Sequence, residues 1–353
     1  MSTDHHFEVK VPGGKLVVVD VSEDGQRITK ASVSGDFFLE PEDAFPALTH
    51  ALVGAPLTDT AEQLQQRLDA VLAPLGAQLH GFSTADVALA TRRAVLDAKD
   101  LTDYEWEVLR PGALPTPLNV ALDEHLLHEV AAGRRGPTLR LWDWEDRAVV
   151  FGSYQSYANE LDPHGVERHG IVPVRRISGG GAMFMEGGNC VTYSLYVPER
   201  AVRGLSYVDS YRYLDQWVLA GLRSLGVNAW YVPINDITSD QGKIGGAAQK
   251  RVPGAVLHHT TMSYDIDAQK MTEVLRVGKV KIADKGLRSA AKRVDPLRRQ
   301  TGVSREEVVS ALIDTFRARY SSHLGELSEA DLAAARRLVE EKFGTREWTH
   351  RVP

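Results

Sequence analysis

Cysteine is almost missing from this chain of 353 residues, in which Cys190 stands alone. A single thiol excludes an internal disulfide and any metal centre built on several cysteines. Long apolar runs are missing too: none approaches the roughly 20 residues of a membrane-crossing helix. The first residues, Met1-Ser2-Thr3-Asp4-His5-His6, lack the basic and apolar regions of a secretory leader. An excess of positive charge is likewise missing. The formal net charge is −6, which argues against a dedicated nucleic-acid binder, whose affinity rests on phosphate neutralisation. Neither repeats nor low-complexity tracts occur. These absences lead us to expect a soluble, cytoplasmic protein with no membrane or nucleic-acid partner, long enough for two or three domains.

One stretch stands out, Arg175-Arg176-Ile177-Ser178-Gly179-Gly180-Gly181-Ala182-Met183-Phe184. Two cations and a hydroxyl lead into three glycines, with apolar residues on both sides. Glycine lets the backbone take positive φ and lets N–H groups approach a ligand. Exposed amides beside arginines make an anion site suited to a phosphate. A plain glycine-rich hairpin between two strands has the same local signature. Roughly 60 residues later comes Asn235-Asp236-Ile237, then Gly242-Lys243-Ile244-Gly245-Gly246-Ala247-Ala248-Gln249, then Leu257-His258-His259-Thr260.

Along the chain, Lys15–Asp20 and Arg27–Val33 read as strands joined by a turn at Glu23-Asp24-Gly25-Gln26. Leu64, Leu68, Val71 and Leu72 share a helical face, and Ser83-Thr84-Ala85-Asp86 opens another helix with a capping box. Residues 100–114, ending in Pro111-Gly112, read as a linker. Thr116-Pro117 caps the next helix and Gly133 ends it. Strands are expected at Thr138–Trp144, Ala148–Phe151, Ile171–Ile177, Cys190–Val197, Lys243–Lys250 and Val256–Ile266. A helix is expected from about Tyr207 to Leu225, closed by Gly226. Ser304 and Ser328 each open a later helix. Tight links between strands favour a mixed or antiparallel sheet over a βαβ series.

Taken in order, the glycine loop, the following Gly188-Asn189, the Lys243 segment and the His258-His259 strand resemble the lipoate–protein ligase family, relatives of the biotin–protein ligases. The resemblance runs from about Thr138 to the C-terminus. It includes Lys279–Arg293 and the closing Val339–Gly344 with Trp348. It implies an α+β fold, a class II biotin/lipoate ligase-like mixed or antiparallel sheet with helices, over residues 101–353. Residues 1–100 resemble the family's small α+β accessory domain, which lies after the catalytic domain in many members and comes first here.

The resemblance implies that lipoate and ATP give lipoyl-AMP. The lipoyl group then passes to a lysine of an apo lipoyl domain in a 2-oxoacid dehydrogenase E2 subunit, or of the glycine-cleavage H protein. Lys243 is the implied catalytic residue, touching both nucleotide and lipoyl group. A compact point charge in a glycine-flanked strand can screen a carboxylate from the α-phosphate. Arg176, Gly181, Ala182, Met183, Phe184 and Asp236 are implied at the nucleotide, with Asp236 also a Mg²⁺ ligand. Gly179, Gly180 and His259 are implied at the lipoyl group. Arg175 is open between a phosphate and a surface salt bridge, and Asn189 between nucleotide and turn. His258 and His259 are open between a metal or base role and satisfied strand histidines. The basic stretch Lys279, Lys281, Lys285, Arg288, Lys292 and Arg293 resembles the family's adenylate-binding loop.

Three alternatives stand beside the ligase. Octanoyl transferases of the sister family use a cysteine shortly before the segment matching Asn235–Ile237, and Ala229–Ile234 contains none. Cys190 opens an alternating strand, where a buried structural thiol is expected. Biotin ligases carry an alternating Gly-Arg-Gly-Arg loop that is absent here. A non-catalytic lipoate-binding relative has less need of both Arg176 and Lys243.

Overall fold

The computed structural model describes residues 3–276 and 294–353. They form two compact units, Met1–Asp103 with Arg200–Ser206, and Tyr104–Glu199 with Tyr207–Pro353. No helix among the described residues is long and apolar enough to cross a membrane.

In the first unit the expected hairpin forms. Strand β2 (Leu16–Glu23) turns at Gly25, whose φ is +94°, into β3 (Ile28–Gly35), and β1 (Thr3–Lys10) pairs with the other edge of β2. The two-residue period of a strand puts Val17, Val19 and Val21 on one buried face. Helix Ala61–Leu72 contributes Leu64, Leu68 and Leu72 to the same core. Val71, at the margin of that stripe, is exposed instead. Helix Thr84–Val95 carries the expected capping box, Ser83 with Asp86. A short pair, β4 (Phe38–Glu40) with β5 (Gln78–His80), completes the unit.

The second unit corrects the sequence reading at residues 100–114. That segment is not a linker: β6 (Trp106–Leu109) and β7 (Ala113–Leu114) both run parallel to β8 (Thr138–Trp144). Four and two residues are too few to establish a period, so only the Pro111-Gly112 turn between them was visible. Next come β9 (Ala148–Phe151), β10 (Val172–Arg175), β11 (Met183–Met185), β12 (Cys190–Pro198), β13 (Ala229–Val232), β14 (Asp236–Ser239), β15 (Gly242–Val252), β16 (Ala255–Ser263) and β17 (Ser322–Gly325). Among the described residues the large sheet has nine strands, in the order β13-β14-β15-β16-β12-β8-β6-β17 with β7 beside β8. Its β13-to-β8 portion is antiparallel, while β6 and β17 add in parallel, so the sheet is mixed. A separate sheet, β10-β9-β11, carries the glycine loop between its last two strands in sequence.

Strands β12 and β16 are buried along almost their whole length, because helices cover both faces. On one face Tyr196 and Leu257 share a core with Val120, Leu126 and Leu127 of helix Thr116–Ala131. On the other, Tyr193 meets Trp217 of helix Tyr207–Ser224 edge to face, and Trp217 meets Phe316 of helix Arg305–Arg319. Capping boxes at Ser304/Glu307 and Ser328/Asp331 open two later helices, each cap contributing about 1 kcal/mol. Thr116 makes no cap; Pro115 takes that position and Pro117 sits in the first turn. The observed architecture is the α+β arrangement expected.

Candidate active site

Where β8, β9, β11, β15 and β16 approach the glycine loop, a cleft of about 160 Å³ opens. Arg176, Gly180, Gly181, Ala182, Met183, Lys243 and His259 line it together, so residues up to 83 positions apart in sequence meet in one place. Trp142, Trp144, Val150 and Met185 give it an apolar wall. Three predicted residues, Phe184, Gly179 and Asp236, are not part of its lining. Phe184 is buried in a small core with Val149 and Phe151, and Gly179 acts through its carbonyl.

Arg176 does not reach out of the loop; the loop wraps around it. Its guanidinium donates to the carbonyls of Val150 (3.1 Å), Gly179 (2.6 Å) and Gly181 (2.9 Å), and to Ser178 Oγ (3.0 Å). Burial lowers its pKa to about 10, which still leaves it cationic at neutral pH. A trans peptide points its C=O and its N–H in opposite directions. With the Gly179 and Gly181 carbonyls aimed at Arg176, the N–H groups of Gly180 and Ala182 therefore point away from it. Among the described residues neither N–H is donated to another backbone group. Gly180 has φ +92°, and a Cβ there would lie 2.9 Å from Arg176 Nη2.

Arg175 fits neither role considered for it. It is fully buried and donates to the carbonyls of Gly152, Ser153, Gln155, Trp348 and Thr349, tying the C-terminal residues to the loop's base. Asn189 closes the turn after Gly188: its Oδ1 accepts the Glu186 N–H at 2.8 Å.

Lys243 faces the loop from β15 and pairs with Asp236 on β14 at 2.8 Å. A register shift between Ile237 and Thr238 makes this possible. Residues 243 and 246 would lie on opposite faces of a regular strand, and the bulge restores them to one side. A Cβ on Gly246 would lie 3.4 Å from Lys243 Nζ and 3.5 Å from Asp236 Oδ1, so glycine there keeps room for the pair. Gly245 instead abuts Thr261 of β16, where a Cβ would meet the carbonyl at 2.5 Å. Of these two glycines, only Gly246 borders the pair.

His259 sits on the cleft wall with both ring nitrogens engaged, Nδ1 with Asp123 Oδ2 at 2.7 Å and Nε2 with Ser178 Oγ at 2.6 Å. Burial lowers its pKa against the opposing pull of Asp123, which keeps it neutral. Burial would raise the Asp123 carboxyl, but His259, Arg140 and Tyr196 together hold it below the usual carboxylate range. His258 lies on the other face, bonded to Asp215 at 2.7 Å. Sequence reading missed Asp123, although Asn119 and Asp123 stand four apart in the helix Thr116–Ala131, the spacing that puts two side chains on one helical face. Among the described residues no three His, Cys, Asp or Glu side chains gather to hold a metal. A single carboxylate already paired with a lysine does not make a protein-held Mg²⁺ site. Cys190 is fully buried and burial pushes its thiol up to about 12. The basic stretch Lys279–Arg293 lies outside the described residues.

Residues 115–317 match the family model for the lipoyl protein ligase A/B catalytic domain. Octanoyltransferase LipM of Halalkalibacterium halodurans is 27% identical over 274 residues, covering 70% of this chain and 99% of that protein. Lipoate-protein ligase A subunit 1 of Thermoplasma acidophilum is 30% identical over 245 residues, 66% of this chain and 91% of that protein. Among solved structures, a bi-partite lipoate protein ligase studied with its E2 lipoyl domain, from Thermoplasma acidophilum, superposes with a TM-score of 0.62 at 28% identity, covering 70% of this chain and 96% of that one. A lipoate-protein ligase A bound with ATP gives 0.60 at 26% identity, over 70% of this chain and 98% of its own. The chain belongs to the lipoyl protein ligase A/B catalytic-domain family, and it carries that family's α+β fold.

Proposed function

We propose that the chain is an ATP-dependent lipoate–protein ligase, which makes lipoyl-AMP and passes the lipoyl group to a lysine of an apo lipoyl domain or H protein. The observation that carries this reading is a lysine facing a glycine loop with outward amides, in a chain whose single thiol is buried and protonated. The lipoyl tail lies along Trp142, Trp144 and Met185, and its carboxylate is held at Lys243. The Gly180 and Ala182 N–H groups receive the nucleotide's phosphates. The carboxylate oxygen attacks the α-phosphorus and pyrophosphate leaves. The acceptor amine then attacks the acyl carbonyl, the C–N bond forms and AMP departs with the C–O bond electrons. Lys243 lowers the repulsion between two anions and stabilises charge on the bridging oxygen.

A second reading is ATP-independent acyl transfer between carrier proteins, favoured by the named octanoyltransferases among the relatives. A transferase of the cysteine type needs an exposed thiolate. Cys190 supplies none. Purified protein with an apo lipoyl domain, lipoate and ATP, each omitted in turn, separates the two readings by acceptor mass. The ligase requires both lipoate and ATP. Modification from octanoyl carrier protein without ATP overturns it.

A further inference from the structure

We propose that His259 is a positioning residue for the nucleotide-binding loop: through Ser178 and Arg176 it fixes the curl of Gly179–Gly181. This inference rests on the ligase reading for its kinetic test.

The connection runs in one direction, and every proton in it can be assigned. Asp123 is an ionised carboxylate and only accepts, so His259 Nδ1 carries the hydrogen in their 2.7 Å contact. Nε2 is then a lone pair and accepts the Ser178 O–H at 2.6 Å. Ser178 Oγ in turn accepts Arg176 Nε–H at 3.0 Å. The rest of the Arg176 fork grips the Gly179, Gly181 and Val150 carbonyls. Asp123 is itself anchored by Arg140 at 3.0 Å, Ser194 at 2.8 Å and Tyr196 at 2.6 Å. A buried helix carboxylate thus sets the orientation of loop peptides whose opposite ends face away from Arg176. Buried, directional hydrogen bonds of this kind fix geometry strongly because an unmade bond is costly there.

Serine, histidine and aspartate in this order also form the array of a serine nucleophile. Burial decides against that role. Ser178 is wholly buried and does not border the cleft, with Arg176 and the glycine carbonyls around it. His259 is equally unsuited to take a proton from an acceptor amine, since its one free lone pair is already occupied by Ser178.

Three variants test the assignment. His259→Asn keeps a donor for Asp123 but withdraws the acceptor from Ser178. His259→Gln can place a carbonyl oxygen near the Nε2 position and keep Ser178 satisfied. Ser178→Ala cuts the same path one step later. The expected result is a rise in KM for ATP of about tenfold in His259→Asn and Ser178→Ala, the size of one buried hydrogen bond. The rate of transfer from preformed lipoyl-AMP falls far less, and His259→Gln recovers most of the loss. The double variant Ser178→Ala/His259→Asn is no worse than either single one. Hydrogen exchange of residues 175–184 is read in parallel and needs no ATP turnover. Exchange there speeds up in the Asn and Ala variants and less in Gln. If wild-type protein shows no lipoate-dependent pyrophosphate exchange, the ligase reading falls while the exchange pattern still decides the positioning role. Unchanged loop exchange in His259→Asn overturns the proposal. So does loss confined to transfer from lipoyl-AMP, which marks a base, or a lipoyl ester found on Ser178, which marks a nucleophile.

Discussion

At the scale of single residues, we propose that Lys243 is where charge and chemistry meet. Its ammonium is held by Asp236 and is about two-fifths exposed, so it is available to an incoming anion. Under the ligase reading it acts most on the transition state, where charge builds on the bridging oxygen. Lys243→Ala should reduce lipoate-dependent exchange of pyrophosphate into ATP by about 10²–10³, the usual effect of one well-placed charge. Lys243→Arg should recover little, because a guanidinium is wider than the space beside Gly246 and spreads its charge. Exchange at near wild-type rate in Lys243→Ala would move the site elsewhere. Cys190→Ser makes the complementary case. The thiol is buried against Thr192, so a hydroxyl there should cost roughly 1 kcal/mol of stability and leave acyl transfer nearly intact. A several-hundredfold loss with the fold retained would restore a thiol mechanism. Lys243 was legible because glycines flank it in a short motif. The fate of Arg175 was not, since two adjacent arginines look alike in sequence while β10 sends one into the C-terminal carbonyls and the chain beyond it turns the other into the loop.

At the scale of elements, the glycine loop is defined by backbone geometry that side-chain patterns only hint at. Gly180 needs both positive φ and the absence of a Cβ, for Arg176 Nη2 would lie 2.9 Å from it. Gly188 has a similar φ, +81°, but open space around its would-be Cβ. The pair separates backbone strain from loop shape. Gly188→Ala should lower stability by about 1–2 kcal/mol, the cost of an L-residue in that region, with KM for ATP little changed. Gly180→Ala should carry the same strain and also displace Arg176, raising KM for ATP by about tenfold or more. Equal kinetic effects in the two variants would remove the loop from nucleotide binding. Long, strongly patterned elements were legible: β12, β16, the helix at Tyr207–Ser224 and the capped helices lie within a few residues of their expected bounds. Short parallel additions were not. β6 and β17 owe their strand state to the sheet edge they join, and four residues of sequence carry no period to reveal it. The bulge that brings Lys243 and Asp236 together was equally hidden, since it depends on the register between two strands.

At the scale of the molecule, the chain is two compact units whose boundary is not a single cut. Sequence composition placed a division near residue 100, yet Arg200–Ser206 also belongs to the first unit. Arg93 donates to the carbonyls of Ala201 and Arg203, and a Cβ on Gly204 would meet the Arg93 side chain at 2.9 Å. No sequence pattern joins positions 110 residues apart, which is why this return segment went unread. We propose that the first unit serves as the family's accessory domain, here placed ahead of the catalytic one, with its contribution in acceptor transfer and not in adenylation. A chain beginning at Tyr104 tests this directly. It keeps the whole cleft but leaves Ala201 and Val202, both buried in the intact protein, without their cover. Its melting temperature should therefore fall by a few degrees, and a Val202→Ser version should limit association through the bared segment. Lipoate-dependent pyrophosphate exchange should stay within a few-fold of the intact chain. Transfer from preformed lipoyl-AMP to an apo lipoyl domain should drop by roughly an order of magnitude, equivalent to ~1.4 kcal/mol of lost stabilisation at that stage. Undiminished transfer would show that Met1–Asp103 has no part in the reaction. A matching fall in exchange, with the fold intact by circular dichroism, would mean that the first unit is needed to build the adenylation site itself.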